Sequence, residues 1–136
     1  MTIIGYTTGT YDMFHSGHVK ILESMKKLCD VIIVGVTTDE LCSQQKNKTP
    51  VINLQNRMTV LKSCRHVDIV VPHHGETKLD AWNKYKFDIL FIGSDYIGKE
   101  EYTLFEKQKP NINVIYLPYS PEISSTQIRN VVCSSV

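Results

Sequence analysis

The sequence predicts an α/β protein built on a doubly wound, five-stranded parallel sheet. Five short runs of apolar and β-branched residues alternate with stretches in which apolar residues recur every three or four positions, as on one face of a helix. The run VIIVGV, residues 31–36, is apolar throughout, which is typical of a strand covered on both faces. Strands and helices that alternate along 136 residues favour right-handed βαβ crossovers within a single domain, 1–136.

The first half of the chain predicts two strands and three helices. The strands are TIIGYT, residues 2–7, and VIIVGV, residues 31–36. Between them, a helix with Ser16 as its N-cap carries an apolar stripe that includes Leu22 and Met25. A short helix in TTDELCSQQKNK runs into a polar loop with lysines, and NLQNRMTVLKSC predicts a further helix capped by Asn53.

The second half predicts three more strands, each followed by a helix. The strands lie at 67–72, 88–93 and 113–118. The helices are expected in TKLDAWNKYK, EEYTLFEKQ and ISSTQIRNVV. Ligands of open α/β sheets bind beyond the carboxyl ends of the strands, near the point where the strand order reverses. The unusual polar clusters of this chain follow its predicted strands, so they are the candidate site.

Composition excludes several classes of function. Fifteen Lys and Arg against fourteen Asp and Glu give a net charge of +1, which argues against a nucleic-acid partner. No apolar run is long enough for a membrane span, and the amino terminus lacks the pattern of a secretory leader. The four cysteines are far apart and form no CxxC pair, which argues against a zinc ribbon or a disulfide framework. We therefore expect a cytoplasmic protein with reduced thiols.

The stretch GTYDMFHSGH, residues 9–18, joins the first strand to the first helix. Free N–H groups at the start of that helix would face an anion, and Gly17 permits close approach of a ligand. His15 and His18 are three residues apart, so both can reach one phosphate, where imidazolium groups would donate hydrogen bonds. Spacing alone leaves three readings open: anion binding, metal ligation that includes Asp12, and no site at all.

Family motifs favour the first of these readings. GTYDMFHSGH resembles the GxFDxxHxGH signature of the nucleotidyltransferase family that includes the glycerol-3-phosphate, choline-phosphate and ethanolamine-phosphate cytidylyltransferases. Further segments resemble family motifs in the family's order: VIIVGVTTDE, NRMTVLKSCRHVD, DILFIGSDYIGK and ISSTQIR. The resemblance covers almost the whole chain and is nearest to the small glycerol-3-phosphate cytidylyltransferases. It implies a Rossmann-like nucleotidyltransferase fold and a homodimer whose interface lies close to the site.

The implied reaction transfers CMP from CTP to a small phosphorylated alcohol and releases pyrophosphate, without a covalent enzyme intermediate. Glycerol 3-phosphate is favoured as acceptor, with choline or ethanolamine phosphate as alternatives. Mg²⁺ is expected to enter with the triphosphate rather than in a protein cage. Two other functions stay open. One is an adenylyltransferase that uses ATP with a sugar phosphate or FMN, and the other is a non-catalytic nucleotide-binding module.

The resemblance also implies roles for individual residues. The implied catalytic residues are His15, His18 and Lys46. Besides the two histidines, the implied nucleotide-binding residues are Gly9, Thr10, Tyr11, Lys48, Arg57, Arg65, Asp95, Ser124, Ser125, Thr126 and Arg129. The implied acceptor-binding residues are Asp12, Asp39 and Lys46. For Asp12, stabilisation of a turn is an equally open reading.

Two details of the motifs refine these expectations. Arg57 and Arg65 are eight residues apart, which predicts nearly the same face of one helix. The family often reads LPRTxGIS before its last helix, but this chain reads LPYSPEIS, with Tyr119 in place of the arginine and Glu122 in place of the glycine. We hypothesise that Arg129 replaces the phosphate contact that Tyr119 lacks.

Overall fold

The computed structural model describes residues 1–93, 99–118 and 125–134, and it confirms the predicted fold class. The strands are β1 (Ile4–Gly9), β2 (Val31–Thr37), β3 (Ile69–His73), β4 (Ile89–Gly93) and β5 (Asn113–Leu117). The helices are α1 (Ser16–Lys26), α2 (Asp39–Lys46), α3 (Leu54–Lys62), α4 (Lys78–Tyr85), α5 (Glu100–Gln108) and α6 (Ser125–Ser134). Asp95, Tyr119, Glu122 and Ser124 lie outside the described residues.

The five strands form one sheet in the order β3-β2-β1-β4-β5, and every neighbouring pair is parallel. The chain moves outward from β1 through β2 to β3, then returns to the other side of β1 with β4. The strand order therefore reverses between β1 and β4. The crevice that this reversal opens at the carboxyl ends of β1 and β4 is the place where open α/β sheets bind ligands.

Helices cover both faces of the sheet, as the continuous apolarity of β2 predicts. Ile32, Val34 and Val36 of β2 pack with α1 and α3 in one buried cluster. Ile33 points to the opposite face and packs with residues of α4 and α5, such as Phe105. Successive side chains of a strand alternate between faces, so both alternate sets of this strand must be apolar.

Two predicted helix boundaries are wrong, and β1 and β3 each begin two residues after the predicted start. The N-cap of α1 is His15 rather than Ser16, because the His15 side chain accepts the hydrogen bond from the N–H of Gly17. Helix α3 ends at Lys62 with Ser63 as its C-cap, so Arg65 does not belong to the helix that carries Arg57. None of the helices in the described ranges is long and apolar enough to span a bilayer.

Candidate active site

The loop after β1 owes its shape to Gly9 and Tyr11. Tyr11 and Met13 have φ angles of 54° and 50°, in the left-handed region that L-residues rarely adopt. The Tyr11 ring packs directly on Gly9, where a Cβ would lie 2.8 Å from the ring. Burial raises the pKa of Tyr11 to about 12, so its phenol is neutral. Gly9 and Tyr11, which the sequence predicted as nucleotide ligands, thus shape the loop in addition to lining cavity walls.

His15 and His18 cap the start of α1 reciprocally. Nδ1 of His15 accepts a hydrogen bond from the Gly17 N–H at 3.0 Å, and Nδ1 of His18 accepts one from the His15 N–H at 3.2 Å. The two rings stack with their centroids 3.9 Å apart. Since each Nδ1 is an acceptor, each neutral ring carries its proton on Nε2. The motif therefore offers two oriented Nε2–H donors.

Both histidines are neutral at pH 7 in the free protein. Burial, followed by the neighbouring His15, lowers the pKa of His18 to about 4, and burial also lowers the pKa of His15. A proton on Nδ1 of either ring would also break its capping bond. The donors of the free protein are therefore neutral, and imidazolium groups beside a bound phosphate stay a prediction. Neutral N–H donors are nonetheless suited to stabilising charge that develops on a bound oxygen.

This pKa predicts loss of stability in acid. The folded-state pKa of His18 lies below its unfolded value of 6.5, so the unfolded state takes up the proton first. Stability that is present above pH 6.5 is lost as the pH falls toward 4, by about 3 kcal/mol through this residue. The variant His18→Asn, whose amide oxygen can accept the same N–H, is expected to lose less free energy of unfolding than wild type over the same pH range. Urea unfolding between pH 7 and pH 4 measures both, and equal losses would contradict the prediction.

A cavity of about 310 Å³ lies in front of the two histidines. The structure brings together in its walls residues from three distant segments, the loop after β1, the α2–α3 connection and α6. The predicted site residues among them are Thr10, Tyr11, Asp12, His15, His18, Lys46, Lys48, Ser125, Thr126 and Arg129. The Arg129 side chain is 30% exposed, and its Nη2 donates a hydrogen bond to the Asp12 carboxylate at 3.0 Å. Arg129 thus lines the cavity, and its replacement of the phosphate contact that Tyr119 lacks stays a prediction.

Asp12 joins the loop after β1 to the α2–α3 connection and to α6 through hydrogen bonds. Its two carboxylate oxygens accept the N–H groups of Val51 at 2.7 Å and Ile52 at 2.9 Å, as well as Nη2 of Arg129. The Ser125 hydroxyl donates a hydrogen bond to the backbone carbonyl of Asp12. These partners occupy a carboxylate that is itself buried. These contacts favour the turn-stabilising reading of Asp12, and its contact with an acceptor stays a prediction.

Arg57 is a structural centre and not a surface ligand. Its guanidinium has no exposed area, and it donates to the carbonyls of Thr10, Thr37 and Ile52 at 2.7–2.8 Å. It also forms an ion pair with Asp39, whose carboxylate accepts the Leu54 N–H as well. Direct nucleotide binding by Arg57 and acceptor binding by Asp39 are therefore not supported. The pair joins the loops that follow β1 and β2 to the start of α3.

Arg65 lies away from both histidines. It is exposed in the turn that precedes β3, at the amino edge of the sheet, whereas the site is at the carboxyl edge. The physical reason is the short α3, which ends three residues before Arg65. The predicted pairing of Arg57 and Arg65 on one helix face is wrong.

A second, larger cavity of about 600 Å³ adjoins the first, and the two share Thr10 and Lys46 as wall residues. Nζ of Lys46 lies 3.4 Å from the Thr10 hydroxyl, between the two spaces. Lys78, which the sequence analysis missed, also lines the larger cavity and is only 4% exposed. One sequence signal was available. Lys78 follows the N-cap Thr77, and a cation in the first turn of a helix opposes the helix dipole.

The metal reading of the histidine motif finds no support. No group of three His, Cys, Asp or Glu side chains suited to a metal ion occurs within residues 1–93, 99–118 and 125–134. The Nδ1 atoms of both histidines and the carboxylate of Asp12 already accept hydrogen bonds from the protein.

Comparisons with known proteins agree with this geometry. The family model described as cytidylyltransferase-like matches residues 6–131. A glycerol-3-phosphate cytidylyltransferase from Bacillus spizizenii is 39% identical over 129 residues, which cover 94% of this chain and 95% of that protein. An FAD synthase from Pyrococcus horikoshii is 37% identical over 115 residues, which cover 82% of this chain and 77% of that protein. The solved structure of the lipopolysaccharide core biosynthesis protein from Thermoplasma volcanium matches with a TM-score of 0.72 at 26% identity, over 88% of this chain and 98% of that one.

Proposed function

The chain belongs to the cytidylyltransferase-like family, and we propose that it transfers CMP from CTP to glycerol 3-phosphate with release of pyrophosphate. The observation that carries this proposal is the pair of adjoining cavities that meet at Thr10 and Lys46. A transfer between two phosphorylated substrates needs two binding spaces that meet at the reacting phosphorus. The match over nearly the full length of a glycerol-3-phosphate cytidylyltransferase supports the choice of donor and acceptor.

The smaller cavity is suited to the triphosphate of the nucleotide. Lys48 and Arg129 supply positive charge in its walls, and His15 and His18 supply neutral donors. Ser125 and Thr126 add the amino end of α6, where the helix dipole favours an anion. The start of α1 contributes a second helix end of the same kind.

The reaction then needs positioning and stabilisation of charge, without a nucleophile from the protein. A phosphate oxygen of the acceptor forms a bond to the α-phosphorus while the bond to the bridging oxygen of the β-phosphate breaks. Pyrophosphate leaves with that oxygen and its electron pair. The Nε2–H groups of His15 and His18 would donate to the non-bridging oxygens as negative charge grows on them, and Lys46 at the junction would hold both substrates.

Mg²⁺ is part of this proposal as a cation that arrives on the triphosphate, where it would neutralise phosphate charge. Mg²⁺ keeps several of its waters and is usually bound through substrate phosphates rather than by a cage made only of protein ligands. The protein's contribution would be the lysines and Arg129 around the same phosphates.

Measurement of pyrophosphate release tests the proposal directly. Four nucleotides would be crossed with glycerol 3-phosphate, choline phosphate, ethanolamine phosphate, ribitol phosphate, sugar phosphates and FMN, each with Mg²⁺. We expect turnover with CTP and glycerol 3-phosphate that exceeds every other pair. Binding of CTP without turnover on any acceptor would favour the non-catalytic module instead.

An adenylyltransferase is the second candidate, because the FAD synthase from Pyrococcus horikoshii is similar over most of this chain. Pyrophosphate release with ATP and FMN, but not with CTP, would establish it. The similarity covers a smaller share of both proteins than the cytidylyltransferase match does, so CTP is the preferred donor.

We also propose that the chain acts as a single nucleotidyltransferase domain, as a homodimer in the cytoplasm. The free thiols of all four cysteines are consistent with a reducing compartment. Strand β3 is at the edge of the sheet and exposes Ile69, with exposed Val60 on the adjacent α3. An unpaired strand edge with apolar side chains is a surface suited to association.

A further inference from the structure

The turn between β3 and α4 places a histidine and a glutamate side by side in the wall of the larger cavity. Nδ1 of His73, the last residue of β3, lies 3.0 Å from Oε2 of Glu76, and the His74 N–H donates to the same oxygen at 3.0 Å. Gly75 between them has a φ of 106°, which side chains rarely permit. The His73 side chain is 11% exposed and that of Glu76 is 44% exposed. The turn thus fixes the histidine beside a carboxylate that a ligand can reach.

The pair presents hydrogen-bond acceptors to this cavity. Partial burial opposes ionisation of Glu76, but its own N–H, the His74 N–H and the His73 ring together lower the pKa of its carboxyl. Burial and then the charge of Lys78 lower the pKa of His73, against the opposing effect of Glu76 and Glu101. A neutral ring beside a carboxylate holds its proton on Nδ1, so Nε2 of His73 is an acceptor. The carboxylate has roughly four acceptor sites, so it too can accept from a ligand.

The rest of the wall indicates which ligand would donate to these acceptors. Among the described residues, the wall holds three lysines and two glutamates, so it does not as a whole favour a cation. An ammonium ligand is often held by an open aromatic face, but the Tyr102 ring in this wall already faces Nζ of Lys78 at 5.8 Å. Hydroxyl groups are neutral donors that match Nε2 of His73 and the carboxylate of Glu76. The wall therefore favours a neutral, hydroxylated group.

The pair lies within reach of a substrate held at the junction of the two cavities. His73 pairs in register with Thr37 of β2, and β2 separates β3 from β1 in the sheet. Adjacent strands are about 4.8 Å apart, so His73 lies roughly 10 Å from the end of β1, where Thr10 and Lys46 mark the junction. That distance leaves room for a phosphate and a short carbon chain. The alcohol end of an acceptor whose phosphate is at the junction would face His73 and Glu76.

We propose that His73 and Glu76 together bind the hydroxyl groups of the acceptor, and that they select a neutral polyol phosphate over amino-alcohol phosphates and over alkyl phosphates without hydroxyls. This inference rests on the proposed function, and it names the residues that recognise the part of the acceptor remote from its phosphate. An analogue without hydroxyls would leave the carboxylate and Nε2 desolvated and unpaired, which sites of this kind penalise strongly.

The test measures pyrophosphate release with CTP and compares kcat/KM for glycerol 3-phosphate, propyl phosphate and ethanolamine phosphate. Propyl phosphate has the same carbon chain as glycerol 3-phosphate but lacks both hydroxyls. The variants are Glu76→Gln, which removes the charge, and His73→Asn, whose amide can still donate toward Glu76 but places no acceptor at the position of Nε2. Glu100→Gln is the matched control, because Glu100 is an exposed glutamate at the start of α5 and lines neither cavity.

We expect wild type and Glu100→Gln to prefer glycerol 3-phosphate over propyl phosphate by at least about 100-fold in kcat/KM. Glu76→Gln and His73→Asn should each lower this preference by about 10-fold or more, while the KM for CTP stays within about twofold. Thermal unfolding of each variant accompanies the kinetics. Loss of preference with an unchanged KM for CTP is a result that a purely structural role of the turn would not produce.

Several outcomes would overturn the role of the pair while leaving the proposed function in place. One is a wild-type preference for glycerol 3-phosphate over propyl phosphate below about threefold, a comparison that needs no variant to fold. Another is an unchanged preference in both variants, or an equal fall in kcat/KM for both acceptors together with a lower Tm. A wild-type preference for ethanolamine phosphate that Glu76→Gln abolishes would assign the pair to an ammonium group and overturn the choice of glycerol 3-phosphate as well. Absence of turnover on every acceptor would overturn the proposed function itself.

Discussion

Replacement of Arg57 by methionine is expected to lower the free energy of unfolding by about 3–5 kcal/mol. The guanidinium is fully buried and donates to three backbone carbonyls as well as to Asp39. Methionine fills similar space but leaves these carbonyls without their donor, and each buried polar group left unpaired costs about 1–3 kcal/mol. Loss of the ion pair with Asp39 adds less to this destabilisation, because the Asp39 side chain is one-third exposed and water can solvate it.

Urea unfolding followed by circular dichroism measures the change. Lys62→Met, which removes an exposed cation from the same helix, is the control and should shift the free energy by less than about 0.5 kcal/mol. Arg57→Lys should fall between the two, since one ammonium cannot reach all four acceptors. A loss below about 1 kcal/mol in Arg57→Met would show that the loops hold their positions without this residue.

His15→Asn is expected to reduce kcat by about 10²–10³-fold while the fold stays intact. The amide oxygen of asparagine can accept the Gly17 N–H and so preserve the N-cap. The shorter side chain cannot place a donor where Nε2–H of histidine lies. Stabilisation of the charge on the α-phosphate would therefore be lost, whereas the start of α1 would not.

His15→Ala separates the two roles of this residue. It should lose the same catalytic stabilisation and, in addition, about 1 kcal/mol of stability, because alanine does not cap the helix. His74→Ala, at an exposed histidine that lines neither of the two cavities, should leave kcat unchanged. If His15→Asn retained wild-type kcat, the histidine would serve only as a cap, and the proposed mechanism would lose its principal donor.

The candidate site was predictable from the sequence wherever contacts are local. His15, His18 and Gly17 are neighbours along the chain, so the sequence alone placed them together at a helix start. Their protonation was not predictable, because burial of His18 and the stacking of the two rings depend on packing by Phe14 and Tyr11. The N-cap was misassigned for a related reason. Serine is the more common N-cap, whereas the His15 side chain caps α1 as one half of a reciprocal pair with His18.

Roles that depend on distant parts of the chain were the ones most often missed. Arg57 and Asp12 were predicted as ligands because both match motifs of the family. Their partners, Thr10, Thr37 and Arg129, become neighbours only when the sheet and α6 are assembled. Lys78 was missed for the opposite reason, because a lysine near a turn is ordinarily solvated.

The order of strands and helices, the doubly wound class and the histidine motif could be predicted from sequence, because periodicity and capping are properties of short segments. Packing between distant segments determines which charged side chains are buried supports and which line the two cavities. Burial depends on contacts between residues far apart in the chain, and it raises the free-energy cost of every unpaired charge. A buried positive charge is therefore a structural centre at Arg57 and part of a cavity wall at Lys78.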